Sequence, residues 1–134
     1  MAVPVISAFY GGLLGVLAIV LAVLVINQRR RTHVGIGDGG DQRLALAGRA
    51  FGNFAEYAPL ALALFALLEL CGGPRLVVHL CAGGFVVGRI AHAIGITGNA
   101  GPSTGRAIGV VPTFVPMLVA AIWLVIITAP AVFR

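Results

Sequence analysis

Six polar side chains stand in segments that are otherwise apolar, and their types and spacing narrow the chemistry open to them. Arg49, Asn53 and Glu56 follow one another at i, i+4 and i+7, which puts all three on one face of a helix. Arg89 and His92 are three residues apart and share a second face, and Arg106 opens a later apolar run. Ionisable groups at membrane depth are costly, turn inward and mark functional sites. One account of them is structural: Glu56 neutralises Arg49 or Arg89, with Asn53 bridging two helices. That account leaves a surplus, because three arginines stand against a single glutamate. Guanidinium forks suit carboxylates, so the cluster reads as a site for a small anionic ligand.

The elements that must position these groups follow from composition. The chain has 134 residues, 60% hydrophobic and only 10% charged. A soluble domain carries roughly a quarter charged residues, so a water-soluble globular protein is excluded and a small polytopic membrane protein remains. At about 20 apolar residues per span there is room for four, at about 5–27, 42–70, 76–96 and 106–128. The expected fold is an all-α, integral membrane four-helix bundle. Met1 to Gln28 carries no charge; without a basic leader, and with too long an apolar run for a signal peptide, it reads as a retained first span. The glycine-rich stretch from His33 to Asp41 breaks the helix, and Asp41 is placed to cap the next one. Cys71-Gly72-Gly73-Pro74 is a tight turn, residues 97–105 form a second polar loop, and Pro112 and Pro116 should kink the fourth helix.

The net charge of +5 comes from nine arginines and no lysine, against two aspartates and two glutamates. The arginines are scattered along apolar segments rather than gathered on a solvated face, so a membrane explains them better than a nucleic acid. Arg29, Arg30 and Arg31 directly follow the first span and mark a cytoplasmic boundary. Both termini then lie outside, and the antiparallel bundle brings all six polar groups to its cytoplasmic half. Cys71 and Cys81 have no metal-ligand spacing with the histidines and read as small apolar side chains; a disulfide between them stays open. His33 and His79 lie away from the cluster, and Glu69 is expected to pair with Arg75. Pairs of small residues (Gly11/Gly15, Gly48/Gly52, Gly84/Gly88, Gly105/Gly109) permit close helix contact. A proton-coupled exporter of cations would need a carboxylate in the first helix, which has none; a structural or regulatory membrane protein is the remaining alternative.

The string Arg49-Ala-Phe-Gly-Asn53-Phe-Ala-Glu56-Tyr57-Ala-Pro59 resembles the second-helix signature of the MAPEG family, the membrane-associated proteins in eicosanoid and glutathione metabolism. Gly37–Asp41 and Gly88-Arg89-Ile-Ala-His92-Ala-Ile-Gly95 resemble its bacterial branch. The resemblance implies a homotrimer in the bacterial inner membrane, with glutathione as co-substrate in an intersubunit cleft on the cytoplasmic side and a lipophilic electrophile as its partner. Arg49, Asn53, Glu56 and Tyr57 would hold the tripeptide, with Arg89 and His92 from the third helix and Arg30 from the first. Arg106 would stabilise the thiolate, with Ser103 and Thr104 beside it; no metal is implied. This chain has Ile96 where eicosanoid-synthesising relatives carry a tyrosine, so an eicosanoid product is not expected.

Overall fold

The computed structural model describes residues 3–98 and 104–133, with side-chain surroundings for 3–96 and 111–133. Four helices make up the described fold: α1 Val5–Thr32, α2 Gln42–Leu70, α3 Arg75–Gly98 and α4 Thr104–Val132. Each contains a stretch long and apolar enough to cross a membrane. α1 packs on α2 and α3, and α4 packs on α3 and α2, while among the described residues α1 and α4 do not meet. α3 is the most enclosed, and α1 and α4 bury least of themselves. Leu14 and Leu21 of α1, Ala61, Phe65 and Leu68 of α2, and Phe85 of α3 lie in the apolar core. Phe65 and Phe85 meet edge to face at 5.8 Å. Phe9, Val16 and Ile19 of α1 and Leu118, Val125 and Ile126 of α4 are bare, as side chains solvated by lipid must be.

α1 does not stop at the arginines. It continues through Arg29–Arg31 to Thr32, and His33 closes it in the left-handed conformation at φ 57°. Cations at a helix C-terminus face the negative end of the macrodipole, so the arginine run prolongs the helix instead of ending it. Asp41 caps α2 as expected, accepting a hydrogen bond from the Leu44 backbone N–H at 2.8 Å. It also forms an ion pair of 2.6 Å with Arg31. The guanidinium of Arg29 donates to the carbonyls of Val34, Gly35 and Gly37, which folds the glycine-rich connection against the end of α1.

At the other end of the bundle one expectation is amended and one open question closes. Glu69 lies within electrostatic reach of Arg75, but the hydrogen bonds that its carboxylate makes among the described residues come from the backbone N–H groups of Ile6 and Ser7 and from the Ser7 hydroxyl, at 2.7–3.0 Å. Helix N-termini leave unpaired donors, and Pro4 before α1 has no side-chain cap to offer. A carboxylate from α2 supplies it. Cys71 and Cys81 are both free thiols, the first exposed and the second buried.

Candidate functional site

The polar cluster assembles where α2, α3 and α4 meet, around a guanidinium inside the bundle. Arg89 is only 2% exposed. It donates to Asn53 Oδ1 at 2.8 Å and to Thr113 Oγ1 at 3.4 Å, so one side chain of α3 ties α2 and α4 together. Its Nε is buried with no hydrogen-bond partner among the described residues. His92, one turn further along α3, is also buried, at 7%. Tyr57 stands one turn beyond Asn53, within electrostatic reach of Arg89, and its ring meets Phe114 of α4 edge to face at 5.1 Å.

Arg49 and Glu56 turn the other way. Both are exposed, and neither enters an ion pair or hydrogen bond among the described residues. The pairing of Glu56 with Arg49 or Arg89, the structural alternative, is therefore not made among the described residues. Seven residues of helix separate Arg49 from Glu56 by about 10 Å along the axis, and Arg89 has given its near N–H to Asn53. Asn53 is the hinge between the two groups. Because its oxygen accepts from Arg89, its amide N–H groups are left as donors, on the face that carries Arg49 and Glu56.

Of the α1 arginines, Arg29 is held by loop carbonyls and Arg31 by Asp41 and Gln28. Arg30 is exposed and makes no such bond among the described residues. Arg106 lies on α4, but its side chain, with Ser103 and Thr104, falls outside the described surroundings. Ile96 is buried in the apolar core.

Sequence reasoning missed Thr113. The signal was present, a hydroxyl in the Pro112–Pro116 stretch of an apolar helix, but the prolines drew attention to the backbone. Those prolines also have an unforeseen role. A methyl group placed on Gly88 would come within 2.7 Å of Pro112 Cβ and 2.9 Å of its carbonyl carbon, and one on Gly84 would meet Pro116 at 3.6 Å. The small pair of α3 thus seats the two prolines of α4, bringing Thr113 beside Arg89.

Compared with known proteins, the chain matches the MAPEG family over residues 7–126. It is 34% identical over 90 residues to the inner membrane protein YecN of Escherichia coli strain K12, covering 67% of this chain and 69% of that protein. The protein of the same name from an O6:H1 strain of Escherichia coli has the same identity and coverage. No solved structure matches the chain.

Proposed function

This chain belongs to the MAPEG family, and from that premise we propose that it is a glutathione-binding bacterial inner-membrane protein of the microsomal glutathione transferase type. It takes glutathione from the cytoplasmic side and presents its thiolate to a lipophilic electrophile dissolved in the bilayer. The observation that carries this reading is the split of the cluster into a buried anchor and an open face. Arg89 fixes the Asn53 amide from behind, while Arg49 and Glu56 stand beside it with no ion pair or hydrogen bond among the described residues. Glutathione carries two carboxylates and one ammonium. Arginine and amide donors with one glutamate complement both charges.

In this reading Arg49, Asn53, Glu56 and Tyr57 bind the tripeptide, with Arg30 reaching in from α1. Arg89 and His92 support them from α3, and Arg106 stabilises the thiolate. A nearby guanidinium favours the charged sulfur over the thiol, which makes it the attacking form at neutral pH. The sulfur then forms the bond to the electrophilic carbon as a leaving group departs with its bonding pair, or as the carbon's π pair shifts onto a neighbouring atom that then takes a proton from water.

A subunit that presents unpaired charges at membrane depth requires cover, and the homotrimer supplies it, with the ligand shared between neighbouring copies. The test is a thermal-shift titration of the detergent-solubilised protein with glutathione. A true binder stabilises by mass action, about 2.7 kcal/mol at a hundredfold excess over Kd, and Arg49→Ala should move the response to higher concentration. No shift at millimolar glutathione overturns the reading. Binding without conjugation of any of several electrophiles leaves a glutathione-binding protein that is not a transferase.

A further inference from the structure

A second basic site lies at the cytoplasmic end of the bundle, apart from the cluster above. A cavity of about 230 Å³ opens between the last turns of α1 and the first of α2, lined by Leu24, Gln28, Arg43, Leu46 and Ala47. Its polar groups are donors. The guanidinium of Arg43 enters no hydrogen bond or ion pair among the described residues. Gln28 accepts from Arg31 Nε through its side-chain oxygen at 2.8 Å, which leaves its amide N–H groups facing outward from that bond. Among the described residues no carboxylate lines the cavity.

Leu24 also belongs to a second, apolar cavity of about 130 Å³, which runs toward the bilayer centre between α1 and α3 past Leu17, Val20, Ile90 and Ile94. Leu24 lines both cavities, so a cleft in two parts flanks that side chain, a cationic, donor-rich mouth at the membrane surface and an apolar groove at membrane depth. A free anion would use only the mouth, and a neutral hydrocarbon only the groove. Basic pockets between membrane helices on the cytoplasmic side select anionic lipid headgroups.

We infer that this cleft binds an anionic phospholipid of the inner leaflet, its phosphodiester held by Arg43 and Gln28 and one acyl chain laid along the α1–α3 groove. The site uses none of the residues assigned to glutathione and stands whether or not that reading holds. Arg29 and Arg31, spent on the α1–α2 connection, keep the mouth's two walls in register; the charge offered to the lipid is that of Arg43.

Native mass spectrometry of the full chain, delipidated in neutral detergent, tests the assignment. Phosphatidylglycerol and phosphatidylcholine with identical acyl chains are titrated separately, with inorganic phosphate as a third probe. The expected result is retention of the anionic lipid at about fivefold lower concentration than the zwitterionic one, the effect of one arginine at an anionic surface. Arg43→Gln should erase that preference and Arg43→Lys should keep most of it. Leu24→Trp, which fills the neck between mouth and groove, should weaken retention of both lipids with Arg43 intact. Equal retention of the two lipids by the unaltered chain overturns the inference, as does an unchanged preference in Arg43→Gln. Displacement of the lipid by phosphate at comparable concentration also overturns it, since the groove would then contribute nothing. If Arg43→Gln does not fold, Arg43→Lys and Leu24→Trp carry the comparison. Glutathione thermal shifts in the same variants are expected to match the unaltered chain, which separates failure of this site from failure of the glutathione reading.

Discussion

Arg89 is the residue on which the site's order depends, and its energetics follow from burial. A charge withdrawn from water stands only where hydrogen bonds compensate it, and here the compensation comes from two neutral oxygens, Asn53 Oδ1 and Thr113 Oγ1. Removing the nearer acceptor should therefore cost more than a typical hydrogen bond. Asn53→Ala is expected to destabilise the protein by ~1–3 kcal/mol, the penalty of a buried donor left unmade, while Asn53→Asp supplies a countercharge and should hold stability. Thermal or denaturant unfolding in one detergent, applied to both variants, checks the order. The same pair separates fold from binding. Asn53→Asp turns an amide donor into an acceptor on the face that carries Arg49, so it should weaken glutathione binding while keeping the subunit folded. A stable Asn53→Ala protein would show that Arg89 does not rely on α2.

At the scale of elements, charge decides how the helices join, and one joint titrates. Asp41 has its carboxyl held below the ordinary 3.8 first by the Leu44 backbone N–H and then by Arg31. A carboxylate whose folded pKa is depressed lends stability above its unfolded pKa and loses it as pH falls through the folded value. The α1–α2 connection should thus loosen from near pH 3.8 downward, read as faster amide exchange at Leu44 and the loop. Asp41→Asn keeps a competent cap but drops the Arg31 pair, and should flatten that pH dependence. The α3–α4 joint is steric. Gly88→Ala drives a methyl group into the Pro112 backbone, and overpacking of this kind costs about 1–3 kcal/mol; unfolding of Gly84→Ala, with more room, should be nearly unchanged. These joints also mark where sequence reading succeeds and where it stops. Uninterrupted apolar runs make the four helices legible, and Asp41 before a periodic segment is a local signal of a cap. Glu69 was read only in part, because proximity along the chain pointed to Arg75, six residues on, whereas its hydrogen bonds go to the unpaired N–H groups of Ile6 and Ser7 more than sixty residues away. Thr113 and the seating of Pro112 on Gly88 escaped for the same reason. Arg49, Asn53, Glu56 and Arg89 were legible as a cluster, because charge in an apolar run is conspicuous, but which of them is buried depends on helix rotation that spacing alone leaves free.

For the whole molecule, the question is what covers the open face of α2. Arg49 and Glu56 are exposed on it, and Gly48 and Gly52 beside them have no described residue within 4 Å of an added methyl group. Small residues facing open space are where another helix can approach closely. Orientation comes first, because glutathione is available only if this face is cytoplasmic. Cys71, exposed in the α2–α3 turn, should react quickly with an impermeant maleimide in intact cells. A Gly35→Cys variant lacking Cys71 should react only after permeabilisation, and the reverse result inverts the topology. Gly52→Leu then isolates assembly from folding. Within one subunit the first carbon of the new side chain has no described neighbour within 4 Å, so helix content and the Arg89 network should persist. In a trimer it stands in the interface, so native mass spectrometry should show three copies for the unaltered chain and a shift to single chains for the variant. The glutathione thermal shift should fall in parallel, because the proposed ligand spans two subunits. If Gly52→Leu dissociates the assembly and glutathione still binds unchanged, the site is contained in one subunit and the shared-ligand reading fails. If the unaltered chain is a monomer with full glutathione response, the charges of α2 are covered by the ligand alone, and the trimer is the part of the proposal to abandon.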